Sequence, residues 1–226
     1  MEKLAAALQS RTRIAAGTAA GQLAALVVAS GLLYWLLVVR LANLLELYLL
    51  PRQDIHYRWD RGEPARWRLA LAFVVLSLLY GLAYWIARGT KGRAAWLVVI
   101  AGSLIFAGIL SFLQPIDSAD IYDNILHGRI LGVYQDNPFQ QLGQEYLQDP
   151  FYRFAAWKSA PSAYGPLWEI QAGAAARLAG DGILANVLTF KLLAGVFWLG
   201  CLLLAAATLR AARASHQLAN YLLLAW

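Results

Sequence analysis

The sequence has 226 residues, of which 60% are hydrophobic and 14% are charged, and its mean hydropathy is +0.52. Soluble domains usually contain about 45–50% apolar and about 25% charged residues, so this composition excludes an ordinary soluble domain. The net charge of +6 does not indicate a nucleic-acid partner, because the basic residues cluster at the ends of apolar runs, as topology signals or contacts with anionic lipid headgroups do.

Four apolar runs have close to the roughly 20 residues that cross the hydrocarbon core of a bilayer as a helix. They predict spans over about 18–39, 69–87, 94–113 and 183–208. A fifth apolar run, 218–226, is too short to cross. We favour a sequence that is the N-terminal part of a longer protein over a last segment that packs against a partner. The predicted fold is all-α, a polytopic transmembrane helix bundle over 1–226 with two short juxtamembrane helices in the loop 114–182.

The positions of Lys and Arg predict the orientation, because cytoplasmic loops carry an excess of both residues. With the N-terminus inside, the cytoplasmic segments hold Lys3, Arg11, Arg13, Arg88, Lys91, Arg93, Arg210 and Arg213. The opposing short loop over 51–67 holds four arginines, which is half as many. We therefore predict a multi-pass protein of the cell (plasma or inner) membrane, with a cytoplasmic N-terminus and an extracytoplasmic loop 114–182.

The loop 114–182 contains eight of the thirteen acidic residues. The first part of this loop is predicted to form a helix, because Ser118 is a favourable N-cap and acidic residues follow in the first turn. At about 100° per residue one face forms a polar stripe, which consists of Asp120, Asp123, Asn124 and His127. Two interpretations stay open: the stripe is the wet side of an interfacial helix, or it faces a functional cavity.

We predict neither a metal nor a cofactor for this loop. Hard cations take several oxygen ligands that converge from a loop, whereas Asp117, Asp120 and Asp123 are spaced three residues apart along the predicted helix. Further on, Pro161 and Gly165 keep the chain irregular, and Pro166 fits the first position of a second short helix that runs to about residue 178.

Three ordered segments of the loop are distinctive: Asp117-Ser-Ala-Asp-Ile-Tyr-Asp-Asn-Ile-Leu-His-Gly-Arg-Ile, then Asn137-Pro-Phe, then Tyr164-Gly-Pro-Leu-Trp. Together they resemble the first catalytic loop of integral-membrane glycosyltransferases of the GT-C fold. They are most similar to polyprenol-phosphate-sugar-dependent mannosyltransferases, in which Ser-Asp-Asp-x-Tyr-x-Tyr-x-x-x-Gly-Arg precedes Asn-Pro-Tyr. Here Ala119 stands at the first Asp of the pair and Asp120 at the second.

The resemblance implies transfer of a sugar from a polyprenyl-phosphate donor to a lipid, glycan or protein acceptor, with inversion and without a metal. It implies Asp120 as the general base, with Asp117 in reserve, and Arg129 as the cation for the donor phosphate. Further candidates for substrate binding are Asp123, His127, Asn137, Tyr164 and Lys191. The alternative cations for the donor phosphate are Arg153, Lys158 and Lys191. Lys191 lies inside the fourth span. A cation at such a position either belongs to a functional site or extends its side chain to the lipid headgroups.

Two other classes of function remain. A non-catalytic subunit of a larger membrane complex would have other membrane subunits as partners, and the short chain motivates this alternative. A transporter is the weaker alternative, because transporters carry their polar groups near the bilayer midplane, whereas most acids here lie in the loop. The predicted partners of the enzyme are the polyprenyl-phosphate sugar donor and membrane lipids.

Overall fold

The computed structural model describes residues 2–41, 43–45, 63–115 and 120–226, with the side chains of 17–37, 43–45, 67–115 and 120–226. Within these residues the chain is all-helical, so the predicted class is confirmed. The helices are α1 Glu2–Leu41, α2 Glu63–Gly89, α3 Arg93–Ser111, α4 Asp120–Gly132, α5 Pro166–Ala179, α6 Ile183–Ala211 and α7 Gln217–Ala225, with a short 3-10 helix at Gly143–Glu145. The predicted N-cap Ser118 and the reserve base Asp117 lie outside the described residues.

Four helices are long and apolar enough to cross a membrane. Their candidate spans are Gly17–Leu37, Trp67–Gly89, Arg93–Ser111 and Ile183–Ala211. They coincide, to within a few residues, with the four apolar runs of the sequence, because length and apolar composition alone specify such helices. The fifth apolar run forms α7, which has nine residues.

The chain divides into two compact units. Unit 1 comprises Met1–Leu37, Glu63–Leu110 and Trp198–Trp226, and unit 2 comprises Val38–Gly62 and Ser111–Phe197. In unit 1 the buried side chains of Leu23, Val99 and Leu222 belong to one apolar core. The C-terminal residue Trp226 joins this core, and its indole N–H donates to the carbonyl of Val99 at 3.0 Å.

Unit 2 contains α4, α5 and the first half of α6, together with the irregular segment between α4 and α5. Its core is formed by apolar residues from each of these parts, namely Tyr122, Ile125, Leu126, Phe151, Phe154, Ala172, Ala176, Val187 and Phe190. Helix α5 begins at Pro166, which occupies the first helical turn after the N-cap Gly165. It ends at Gly180, whose φ of +67° suits a residue without a Cβ. The predicted second short helix is therefore present.

Helices α4 and α5 approach each other closely enough to require glycine. A Cβ added to Gly128 would lie 2.6 Å from the carbonyl oxygen of Ala172, and one added to Gly132 would lie 2.1 Å from that of Gly173. Both obstacles are backbone atoms, which cannot rotate away. The two glycines, four residues apart on one face of α4, therefore determine how closely the two helices pack.

The polar stripe of α4 is not the wet side of an interfacial helix, so that interpretation is wrong. Asp120 is exposed, whereas Asp123, Asn124 and His127 are buried together with the apolar face. The reason is that the segment after α4 folds back over the stripe, and Trp157 and Trp168 both hydrogen-bond to it. Residues 122–130 of α4 are consequently all buried.

Candidate functional site

The first turn of α4 combines an exposed carboxylate with a fixed backbone. Asp120 begins the helix and its side chain is exposed. The Asn124 amide nitrogen donates to the carbonyl of Asp120 at 2.7 Å, and its amide oxygen accepts the indole N–H of Trp168 at 2.6 Å. Asn124 therefore connects the turn that carries Asp120 to the first turn of α5.

A row of aromatic rings extends from this connection. The ring centroids of Tyr164 and Trp168 lie 6.1 Å apart, and those of Trp168 and Phe190 lie 6.4 Å apart. Tyr164 is 43% exposed, so the row ends at an accessible ring. Aromatic rings of this kind offer an apolar face for packing, and Tyr adds a polar tip. The row thus provides a partly open aromatic surface that is tied, through Asn124, to Asp120.

Lys191 follows Phe190 on α6, at the other end of the aromatic row. Its ammonium donates to the carbonyl of Leu113 at 2.7 Å, just beyond the end of α3. The same short segment is paired with 43–45, since the amide of Leu44 donates to the carbonyl of Phe112 at 2.8 Å. The ammonium therefore lies just beyond the C-terminal end of α3, where the carbonyl of Leu113 accepts its hydrogen bond.

A buried polar cluster lies along the remainder of the stripe and comprises Asp123, His127, Ser162 and Glu169. The amide of Trp157 donates to the Asp123 carboxylate at 2.8 Å, and the Ser162 hydroxyl donates to Glu169. Burial raises the pKa of Asp123, although the amide of Trp157 and the charge of His127 act against it. Burial also raises the pKa of Glu169, and the Ser162 hydrogen bond and the charge of His127 oppose that shift.

This cluster is enclosed rather than open. Asp123 is 5%, His127 4% and Glu169 1% exposed. One polar atom of each, Asp123 Oδ2, His127 Nδ1 and Glu169 Oε2, makes no hydrogen bond within the described residues. The two predicted substrate-binding residues Asp123 and His127 therefore lie behind Asp120 in the interior of unit 2.

Arg129 is the centre of a second buried network. Its Nε donates to Asp149 at 2.6 Å, and its two terminal nitrogens donate to Asp181 and to the carbonyl of Gly180, each at 2.7 Å. The hydroxyl of Tyr134 also donates to Asp149, at 2.9 Å. Burial lowers the pKa of Arg129, but the hydrogen bonds and charges of Asp149 and Asp181 outweigh that effect and raise it.

This network joins the last turn of α4 to the end of α5. The guanidinium of Arg129 is 2% exposed, and its Nε and both terminal nitrogens already have protein acceptors. A residue placed in this way stabilises the fold of unit 2. If Arg129 bound a donor phosphate, as the sequence predicts, its contacts with Asp149, Asp181 and Gly180 would have to open.

The remaining predicted residues lie in turns or stack on rings. The side chain of Asn137 accepts the amide of Phe139 at 3.0 Å, which closes a turn at the Asn-Pro-Phe segment. The guanidinium of Arg153 lies 4.4 Å from the ring centroid of Phe154. The ammonium of Lys158 lies 4.4 Å from that of Tyr152.

The sequence assigned no functional role to two residues of the site, Asn124 and Trp168. Both were present in the distinctive segments, Asn124 one helical turn after Asp120 and Trp168 at the end of Tyr-Gly-Pro-Leu-Trp. Their pairing spans 44 residues of sequence, which no local pattern reveals. Among the described residues no group of three His, Cys, Asp or Glu side chains is arranged to hold a metal ion.

Comparison with known families identifies a mannosyltransferase domain. A family model described as Alpha-(1->6)-mannopyranosyltransferase, N-terminal domain, matches residues 50–225. Neither the comparison with curated proteins nor that with solved structures gave a match. The family model covers α2 to α7 and hence the whole candidate site.

Proposed function

Since the chain belongs to the alpha-(1->6)-mannopyranosyltransferase N-terminal domain family and carries four helices suited to a membrane, we propose that it transfers mannose from a polyprenyl-phosphate donor to an acceptor hydroxyl. The reaction inverts the anomeric carbon. The acceptor oxygen forms the new glycosidic bond, the bond to the phosphate oxygen breaks, and the acceptor proton passes to a carboxylate. The GT-C fold is part of the same proposal.

Asp120 is the proposed general base, and its position carries the proposal. A base has to come within hydrogen-bond reach of the hydroxyl that it deprotonates. Of the acidic residues on the polar stripe that the structure describes, Asp120 is the exposed one, whereas Asp123 is buried. The hydrogen bond from Asn124 fixes the backbone at Asp120, so the carboxylate projects from a defined turn. Asp117 remains the reserve base.

The aromatic row would hold a sugar ring next to this carboxylate. Tyr164 and Trp168 offer ring faces for the apolar C–H face of a hexose, and the Tyr164 hydroxyl offers a hydrogen bond. The link from Trp168 through Asn124 to Asp120 couples the position of the ring surface to that of the base.

Lys191 is the proposed cation for the donor phosphate. Positive charge stabilises the departing phosphate oxygen as the glycosyl bond breaks. We prefer Lys191 to Arg129 because Lys191 is half-buried, whereas the Arg129 side chain is 2% exposed and binds Asp149 and Asp181. Lys191 also lies near the end of a span, where the headgroup of a lipid-linked donor meets the protein.

The test is mannose transfer by the full-length protein in membranes, with labelled polyprenyl-phosphate mannose as donor. We expect Asp120→Asn to lose at least about 100-fold in rate, which is the lower end of what a general base contributes. The matched control is Glu145→Gln, an exposed acid of the same loop, which should keep wild-type activity.

Two results would overturn parts of the proposal. An Asp120→Asn enzyme as active as the Glu145→Gln control would remove Asp120 from the role of base, and Asp117→Asn would then be the next variant. Transfer from a nucleotide-linked mannose, with none from the polyprenyl-phosphate donor, would exclude the proposed donor class.

A further inference from the structure

A cationic cleft lies in unit 1, between the turn that joins α2 to α3 and the turn that joins α6 to α7. Two adjacent cavities of about 570 and 530 Å³ open there. They share Arg88, Gly89, Thr90 and His216 in their walls, and the larger one also contacts Lys91 and Trp96. The candidate mannosyltransferase site lies in unit 2, so none of its residues takes part in this cleft.

The described residues that line the two cavities include cations and no carboxylate. The sequence contains no Asp or Glu over 64–116 or over 182–226. Arg88 and Lys91 line the cleft, and Arg93 and Arg213 each follow or precede a lining residue. Within the part of the chain that the structure describes, no carboxylate forms an ion pair with any of these four cations. Such a concentration of one sign of charge in a cleft attracts anions.

A side-chain hydrogen bond fixes the two turns against each other. His216 Nδ1 lies 2.7 Å from the carbonyl oxygen of Arg88. A carbonyl only accepts, so Nδ1 is the donor and carries the proton. Arg213 and His216 both have positive φ values, 49° and 53°, in the turn on the far side of the cleft. Non-glycine residues seldom adopt this conformation unless the surrounding structure holds them there.

A topology signal alone does not account for this arrangement. Orientation during membrane insertion depends on the number of Lys and Arg in a short loop, and it needs no cavity and no contact between loops. Here the cations line a cleft, and Trp85 and Trp96 contribute to its walls. Tryptophan is enriched at the depth of lipid headgroups. The cleft therefore combines positive charge with the aromatic residues that are typical of headgroup depth.

We propose that this cleft binds the phosphate group of an anionic phospholipid headgroup, with Arg88 and Lys91 as its direct ligands. Arginine and lysine both donate charged hydrogen bonds to phosphate oxygens, and arginine does so with two parallel N–H groups. Ser215, in the α6–α7 turn, adds a hydroxyl to the cleft. A lipid bound there would hold the α2–α3 and α6–α7 turns of unit 1 together.

The test titrates the purified full chain in mild detergent with short-chain phosphatidylglycerol and reads the bound lipid by native mass spectrometry. Phosphatidylcholine and inorganic phosphate are the parallel probes. Arg88→Gln and Lys91→Gln should each weaken phosphatidylglycerol binding roughly five-fold, which corresponds to the loss of one cation at an anionic surface. Both side chains are exposed, so both variants should fold. Arg177→Gln, an exposed cation of unit 2, is the matched control and should bind as the wild type does.

Each result of the lipid titration either supports or overturns the proposed phosphate site. Weaker phosphatidylglycerol binding by both cleft variants, with wild-type binding by the control, supports the site. Equal affinity of the wild type and both cleft variants would overturn it. Binding of phosphatidylcholine as tight as that of phosphatidylglycerol would overturn the preference for an anionic headgroup, and equally tight binding of inorganic phosphate would overturn the lipid as the source. None of these readings depends on sugar transfer, so they stand or fall independently of the proposed activity.

Discussion

The indole N–H of Trp168 donates to the side-chain oxygen of Asn124 at 2.6 Å. Because an indole nitrogen can only donate, this contact fixes which end of the Asn124 amide is oxygen. The amide nitrogen then faces the carbonyl of Asp120, to which it donates at 2.7 Å. One amide thus joins the aromatic row to the turn that carries the proposed base, and its two ends are both engaged.

Trp168→Phe should lower the rate of sugar transfer by about ten-fold while the protein stays folded, because a less precisely held base is oriented less well. The substitution keeps an aromatic ring and deletes the N–H, which leaves the Asn124 oxygen without that donor at a stability cost of about 1 kcal/mol. Trp157→Phe is the control, since Trp157 is 63% exposed and interacts with the stripe through its backbone.

A double variant distinguishes positioning from general damage. If Trp168 acts through Asp120, Trp168→Phe should have little further effect in an Asp120→Asn background, because residues that act as a unit are not additive. An undiminished ten-fold loss in that background would show that Trp168 does not act through the base.

The two acids that bind Arg129 should contribute very unequally to stability. The side chain of Asp149 is 0% exposed and that of Asp181 is 82% exposed. Asp149→Ala leaves a buried guanidinium without its main partner, and we expect a loss of about 3–5 kcal/mol. Asp181→Ala removes a solvent-screened contact and should cost less than about 1 kcal/mol. Denaturant or thermal unfolding in detergent measures both, and equal losses would contradict the described network.

Composition and local pattern were enough for part of this fold. Four spans followed from apolar length, and the start of α5 followed from Pro166, whose fixed backbone suits a first helical turn. The exposed position of Asp120 agrees with its place at the start of a polar stripe. Such features depend on residues within one or two helical turns, so a single sequence carries them.

The surroundings of α4 could not be predicted because they come from distant parts of the chain. Arg129 meets an acid 20 residues away and another 52 residues away. The helical period correctly separates polar from apolar residues on α4, yet it does not tell whether the polar side faces water. That depends on Trp157 and Trp168, which cover the stripe only after the loop has folded.

Gly132→Ala should destabilise unit 2 by about 1–3 kcal/mol, the usual cost of overpacking. The new methyl group would lie 2.1 Å from the carbonyl oxygen of Gly173, so α4 and α5 would have to separate. Gly195→Ala is the matched control, because that glycine lies on α6 with nothing within 4 Å of the added carbon. Unfolding in detergent measures the difference. A Gly132→Ala protein as stable as this control would refute the close approach of the two helices.

Glu169 should make the stability of unit 2 depend on pH. Burial raises its pKa above the ordinary value of 4.5, and the Ser162 hydrogen bond and the charge of His127 only partly oppose this. The fold therefore favours the protonated acid over the carboxylate. This contribution to stability is fully present below pH 4.5, and it is lost as the pH rises through the pKa of Glu169 in the folded state. The buried carboxyl of Asp123, whose pKa is also raised, acts with the same sign.

Glu169→Gln should flatten this dependence, because glutamine stays neutral and its side-chain oxygen can still accept the Ser162 hydroxyl. We expect the unfolding free energy of the wild type to fall as the pH rises above 4.5, and that of the variant to fall less steeply. The exposed Glu145→Gln serves as control and should keep the wild-type slope. If Glu169→Gln and the wild type showed the same slope, the pKa of Glu169 would be the same in the folded and the unfolded chain. The buried cluster would then not disfavour the charged form of Glu169.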